Sequence, residues 1–253
     1  MALRCVYTDL DGTLLGAGGS LLRDGDGSFS LLPARALEAC HRAGVEVVIK
    51  SGRRKAQVME DARLMGQTAY IFEVGSGLVM EEEETLLTGE FGPTDGLSPH
   101  ELIAASGAPA LLLEAFDLEH HSPWHLDRFV SHLFTGRADL AEAAALLERE
   151  GIRGLRLIDN GATSGGGRTY HLIPATASKA AAVRMHMRAR GYAPEECIAV
   201  GDSVEDLGVA PVVGRFFVVA NATPGIESSI ANVTRTEAGY GDGFYEAVVQ
   251  SLV

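Results

Sequence analysis

The chain has 253 residues, 46% of them hydrophobic and 22% charged, and a formal net charge of −13 at pH 7. That length suits one large domain, or a core domain carrying a smaller insert, in a globular protein. The acidic excess argues against nucleic acid as a partner, because a phosphate backbone calls for a basic surface. A small phosphorylated substrate stays open, since a metal, one lysine and backbone N–H groups can hold a single phosphate locally.

No apolar run approaches the ~20 residues of a membrane span, so no membrane partner is expected. The chain reads as a strand from residue 3, with no charged leader ahead of an apolar stretch. Cys5, Cys40 and Cys197 are odd in number and far apart, and read as buried reduced thiols of a cytoplasmic protein. Lysine occurs only at Lys50, Lys55 and Lys179, so a lysine standing where chemistry needs one carries weight.

Leu3–Thr8 predicts a short buried parallel strand, with Asp9 at its carboxyl end. A glycine-rich loop, Gly12–Gly27, follows. Pro33–Ala43 has helical spacing, with Pro33 suited to the first turn, and Gly44 ends it. Val45–Ile49 predicts a second strand with Ser51 and Gly52 at its end, Arg54–Met65 a helix, and Ala69–Glu73 a third strand. This alternation indicates an open α/β sheet. The four acids Glu81–Glu84 predict a solvated turn or sheet edge.

Residues 97–116 read as helical, Arg128–Phe134 as a strand and Ala138–Glu150 as a helix. Leu155–Asp159 and Arg168–Ile173 read as strands joined by the loop 160–167. Ala177–Arg190 predicts a helix, Cys197–Val200 a strand, Leu207–Ala210 a short helix and Phe216–Ala220 a further strand. The fold class is therefore α/β: a Rossmann-like core with a parallel sheet, formed by residues 1–83 and 175–253, and an inserted α/β cap at 84–174.

Asp9-Leu10-Asp11-Gly12-Thr13 stands just past the first strand, and ligands of open parallel sheets bind beyond the carboxyl ends of the strands. A carboxylate can attack phosphorus and form an acyl phosphate. Two acids two residues apart point to opposite faces of a strand, but past its end the loop can turn both toward one site. Gly12 lets the backbone come close to a phosphate. No Gly-x-x-x-x-Gly-Lys-Ser/Thr loop and no Gly-x-Gly-x-x-Gly fingerprint competes. His120, His121, His125 and Trp124, in EHHSPWH, read as surface or pocket histidines and a partly packed indole rather than a metal site.

Four segments, DLDGT at 9–13, Ser51 at the end of VEVVIKSG, Lys179 at the start of a helix and GDSVED at 201–206 after CIAV, resemble in order and context the four motifs of the haloacid dehalogenase superfamily of phosphohydrolases. The branch resembled carries an α/β cap between the second and third motifs. The resemblance implies that Asp9 is the nucleophile and that Asp11 is the general acid and base. It implies phosphate binding by Thr13, Ser51, Gly52 and Lys179. It also implies Mg²⁺ held by Asp9, Asp202 and the Asp11 carbonyl, with Asp206 farther out. Glu205 stands where this branch often has Asn, which bears on the outer metal shell.

GGRTYHLIPATASKAAAV and IFEVGSGL resemble segments of mannosyl-3-phosphoglycerate phosphatases, with Val74 in place of the usual Asn and Ser76 in place of Gly. GDGFYEAV resembles the same sugar-phosphatase group. The implied substrate is a phosphorylated sugar or glycoside, its leaving group met by Arg168 and His171 of the cap. The alternatives are a phosphosugar mutase of the phosphomannomutase type, which shares the first motif, and a non-catalytic sugar-binding or regulatory protein.

Overall fold

The structure, a computed structural model, describes residues 2–94, 96–162, 167–226 and 230–252. In chain order it runs β1 (Cys5–Thr8), α1 (Leu32–Arg42), β2 (Glu46–Lys50), α2 (Lys55–Leu64), β3 (Ala69–Phe72), β4 (Gly77–Met80) and β5 (Glu83–Leu86). Then come α3 (Pro99–Ala105), α4 (Ala108–Ala115), β6 (Asp117–His120), β7 (His132–Arg137), α5 (Leu140–Arg149), β8 (Leu155–Ala162) and β9 (Arg168–Pro174). The chain closes with α6 (Lys179–Arg190), β10 (Cys197–Gly201), α7 (Val204–Leu207), β11 (Arg215–Val218), β12 (Val233–Arg235) and α8 (Tyr240–Leu252).

The larger sheet has the order β12-β11-β10-β1-β2-β3-β4-β5. Pairing is parallel from β12 to β3, then antiparallel through β4 and β5. The interiors of its central strands are buried without a break because both faces are covered. Val6, Val47 and Ile49 pack on one side with Leu37, Val58 and Phe244 from α1, α2 and α8. Cys5, Tyr7 and Val48 pack on the other with Val183 and Met187 of α6. β1 sits near the middle of the sheet, so the loop leaving Thr8 emerges at the centre of its carboxyl edge. That is where a doubly wound sheet offers its cleft.

The smaller sheet, β6-β7-β9-β8, is antiparallel and has a separate core built on Phe134, Leu147, Tyr170 and Leu172. A small apolar contact of Val74, Ile158, Ile173 and Ala177 joins it to the turn after β3. The larger sheet runs on past residue 83 to Leu86. Of the predicted loop 160–167, residues 163–166 lie outside the described residues.

The stretch 97–116 is helical as expected and divides into two helices, because Gly107 takes a left-handed φ of 79° between α3 and α4. Three expectations need correction. The predicted strand Arg128–Phe134 begins only at His132, because Glu73 holds the preceding residues. Its Oε1 accepts from Phe129 N at 2.8 Å, and its Oε2 from Val130 N, Ser131 N and Ser131 Oγ at 3.0, 2.6 and 2.9 Å. β3 ends at Phe72, since Glu73 and Val74 turn into the left-handed region. The short helix expected at Leu207–Ala210 forms earlier, at Val204–Leu207, where the Ser203 side chain caps it.

Candidate active site

Asp9 is placed by β1. Its backbone N–H donates to Val200 O of β10 at 3.1 Å, so the sheet guides the chain one residue beyond the strand before it turns. Asp206 is placed by α7, whose cap Ser203 accepts from Asp206 N and donates from Oγ to Asp206 Oδ2 at 2.5 Å. Lys179 opens α6 behind the cap Ser178, whose Oγ accepts from Ala181 N at 3.0 Å. These elements bring together groups that are 170 and 27 residues apart in sequence: Lys179 Nζ donates to Asp9 Oδ1 at 2.7 Å and to Asp206 Oδ1 at 2.8 Å.

A second lysine enters the cluster unforeseen. Lys50, the last residue of β2, is fully buried and donates to Asp206 Oδ1 at 2.5 Å and to Val200 O at 3.1 Å. The scarcity of lysine was its signal, but the partner lies 156 residues on.

Carboxylate oxygens of Asp9, Asp202 and Asp206 lie within 4.8 Å of one another. Three acids thus face two ammonium groups: Lys50 is spent on Asp206, and Lys179 is shared between Asp206 and Asp9. Burial would raise the Asp206 carboxyl, but Lys179 and Lys50 outweigh it and hold it well below the carboxylate range. Asp9 is pushed up to about 6 by burial and then by Asp206. Asp202 is pushed up to about 7 by burial and then by Asp9 and Asp206. Two carboxylates short of positive charge, Asp9 buried and Asp202 half-buried, with oxygen donors only, fit a hard divalent cation such as Mg²⁺.

The sign of the pH dependence follows. A carboxyl with a raised folded-state pKa keeps its proton where the unfolded chain has lost it. The stability contributed by Asp9 and Asp202 is therefore complete below the ordinary value of 3.8 and is lost as pH rises through about 6 to 7. A cation binds only the ionised pair. The gain in Tm from Mg²⁺ over chelator should accordingly grow between about pH 5 and pH 8; a gain that stays flat across paired thermal melts would contradict this account.

Around the cluster, Thr13 Oγ1 donates to Asp202 Oδ1 at 3.0 Å. Gly12 has a φ of +82°, and a Cβ there would stand 2.5 Å from Asp202 Oδ2, so only glycine lets the two loops meet. Ser51 is buried and its Oγ accepts from Arg53 N at 3.1 Å. Asp11 is turned outward: Arg53 grips both its oxygens, at 2.8 and 2.6 Å, and also holds Asp61 at 2.8 Å. That grip, too, was not read from the sequence.

The smaller sheet reaches this site through β8 and β9. A Cβ on Gly52 would lie 2.8 Å from Asn160 Nδ2 and 3.2 Å from His171 Nε2, so both side chains stand over the loop after β2. His171 is buried, its Nδ1 has no hydrogen-bond partner, and burial together with Arg128 and Lys179 pushes it well below the usual imidazole range. Arg128 Nη1 donates to the Gly52 carbonyl at 3.1 Å. Arg168 sits elsewhere, half exposed at the start of β9 and paired with Asp159. Tyr170 packs in the core of the smaller sheet, its hydroxyl on Ala138. Glu205 meets Arg156 of β8 at 3.3 Å, which ties the loop after β10 to the smaller sheet.

His120 stacks on His125, Trp124 is exposed, and among the described residues none of His120, His121 and His125 belongs to a group able to hold a metal.

A family model described as haloacid dehalogenase-like hydrolase matches residues 134–248. A phosphoglycolate phosphatase of Methanoculleus marisnigri is 27% identical, over 97% of this chain and 95% of its own length. One of Methanothermobacter thermautotrophicus is 24% identical, over 97% of each. Among solved structures, the sucrose-phosphatase of Synechocystis, in complex with sucrose and phosphate, superposes with a TM-score of 0.71 at 17% identity, over 99% of this chain and 98% of that one. A haloacid dehalogenase-like hydrolase of B. subtilis superposes with a TM-score of 0.66 at 19% identity, over 98% and 99%.

Proposed function

We propose that the chain, which is similar to the haloacid dehalogenase-like hydrolases over residues 134–248 and to phosphoglycolate phosphatases over 97% of its length, is a phosphatase that hydrolyses a small phosphomonoester through an aspartyl phosphate on Asp9, with Mg²⁺ as cofactor. The observation that carries this reading is the buried cluster in which Asp9, Asp202 and Asp206 meet Lys179 at the carboxyl edge of the sheet. Asp9 Oδ2 is the attacking oxygen, since Oδ1 is held by Lys179. Ser51 Oγ, the Gly52 N–H and Lys179 Nζ meet the phosphate oxygens, and Thr13 orients Asp202. Mg²⁺, held by Asp9, Asp202 and the Asp11 carbonyl with Asp206 behind them, would supply positive charge beside the transferring group.

Asp11 protonates the leaving oxygen and then takes a proton from the attacking water. For that role the hydrogen bonds from Arg53 to both Asp11 oxygens must open. Residues 1–83 and 175–253 act as the catalytic core, and 84–174 as a cap that chooses the leaving group. The buried free thiols of Cys5, Cys40 and Cys197 support a reducing, cytoplasmic setting. Among the described residues no helix is long and apolar enough to cross a membrane.

For the substrate, the full-length similarity to phosphoglycolate phosphatases favours a small phosphorylated hydroxy acid. A phosphorylated sugar or glycoside such as mannosyl-3-phosphoglycerate is the second reading, resting on the sequence of residues 166–183. Both classes place a phosphate ester near a carboxylate or hydroxyls. Phosphate release should be measured with phosphoglycolate, mannosyl-3-phosphoglycerate, sucrose phosphate and p-nitrophenyl phosphate, with Mg²⁺ and after exhaustive chelation. Full activity after chelation, or release that needs an added bisphosphate as a mutase would, refutes the proposal.

The cap assignment has its own test. Loss of one polar contact to the leaving group costs ~1–3 kcal/mol in transition-state binding. His171→Ala and Asn160→Ala should each lower kcat/KM for the best substrate roughly 5- to 150-fold. p-Nitrophenyl phosphate, which lacks the contact, should be nearly unaffected. Equal losses on both substrates would assign these residues to the fold or the core chemistry instead.

A further inference from the structure

Two turns beyond Lys179, helix α6 carries His186, and there a second set of donors meets at the other end of the same strands. Cys5, Glu46 and Cys197 are the first residues of β1, β2 and β10, and Cys5 is the cross-strand neighbour of both others. Asp9 and Asp202 stand past the carboxyl ends of β1 and β10; this group stands at the amino ends. A Cys5 Sγ, a Glu46 carboxylate oxygen and a His186 ring nitrogen lie within 4.8 Å of one another. The Cys197 thiol sits against that of Cys5. Cys5, Cys197 and His186 are buried, while the Glu46 side chain keeps 18% of its surface.

The donors are held from behind. Tyr7 Oη lies 2.8 Å from His186 Nδ1. Glu46 Oε1 accepts from Arg190 at 3.1 Å, and its Oε2 from Tyr192 Oη at 2.9 Å. His186 Nε2 is fully buried and makes no hydrogen bond, although Glu46 Oε1 is only 3.4 Å away. An imidazole fixed through one nitrogen, with the other unsatisfied beside a carboxylate and a thiol near the ring, is the arrangement of a metal ligand with its supporting shell.

We propose that Cys5, Glu46 and His186 form a second cation site that takes a zinc-type transition metal at the amino ends of the central strands. Sulfur and imidazole donors select such an ion over Mg²⁺, which the oxygen-only cluster of Asp9, Asp202 and Asp206 suits. Burial keeps the Cys5 thiol protonated when no ion is present. On binding, the metal–sulfur bond replaces the S–H bond and one proton leaves to solvent per thiolate formed. The bound ion would cross-link α6 to β1 and β2. Lys179 and His186 are seven residues apart and lie on the same face of α6, so the ion would brace the helix that carries Lys179.

The test uses the full chain, stripped by chelator under reducing conditions and titrated with Co²⁺ in excess Mg²⁺. About one equivalent of Co²⁺ should bind with intense sulfur-to-cobalt charge-transfer absorption, which an oxygen-only site cannot give. Zn²⁺ should displace it one for one and raise the Tm of the stripped protein. His186→Ala and Cys5→Ser should lose the band and at least ~10-fold in Zn²⁺ affinity. Cys40→Ser, a buried thiol on α1, should keep both. No band in the wild-type chain overturns the proposal whatever the variants do, and so does a band that survives in both His186→Ala and Cys5→Ser.

Discussion

Asp9→Asn is expected to reduce turnover by at least ~10⁴-fold while the folded state survives. An amide of the same size has no anionic oxygen to attack phosphorus. The fold should tolerate it because Lys179 keeps Asp206 as its partner. Burial and the neighbouring Asp206 disfavour the ionised Asp9, a cost the folded state carries once pH has passed about 6. Replacing it by a neutral amide removes that repulsion, so the metal-free variant should be no less stable than the parent at pH 8. Activity and stability should thus move in opposite directions. Phosphate release and a thermal melt on the same preparation check both. Substantial steady-state activity in correctly folded Asp9→Asn would sink the nucleophile assignment.

Lys50→Met should destabilise the protein by about 3 kcal/mol, the lower end of the range for breaking a buried ion pair. Two effects compete. The Lys50 ammonium is itself unfavourable where it stands, since burial lowers its pKa despite Asp206 beside it. Its removal, however, leaves three clustered carboxylates facing Lys179 alone. The second effect should win, because Asp206 Oδ1 then loses a 2.5 Å charged hydrogen bond in a site closed to water. For a chain of this size the loss corresponds to a Tm lowered by roughly 6–12 °C. Mg²⁺ should restore part of it by supplying the missing charge. An unchanged Tm in chelator would show that Lys50 contributes nothing net.

How much of this was legible beforehand depended on whether the signal was local. Asp9, Asp11, Asp202 and Asp206 stand beyond apolar strands, so their placement at one edge of a parallel sheet could be read from sequence, as could Lys179 at a helix start. The pairing Lys50–Asp206 and the clasp Arg53–Asp11 could not, because each joins segments through the fold. His171 was named as a cap contact and stands over Gly52; Arg168, named with it, is drawn off by Asp159 on the partner strand. β6 went unseen because Asp117–His120 is too polar to show a strand pattern and is half exposed at a sheet edge. α8 was missed for the opposite reason: Gly241 and Gly243 dilute the helical signal of its first turns, yet they are buried in packing against α1 and the loop after β12.

Glu73 has a consequence for building chimeras. Its carboxylate belongs to the turn after β3, but the four groups it organises belong to residues 129–131, which lead into β7. The entry loop of the smaller sheet is therefore shaped by an acid that lies outside the inserted segment. A foreign cap spliced in between residues 87 and 175 would arrive expecting its own anchor, and the host would offer Glu73 to a loop not built for it. Buried and without its donors, that carboxylate would become a charge with no counterpart. Exchange between relatives should thus succeed when the turn after β3 travels with the insert, and the functional seam of the molecule lies upstream of the covalent one.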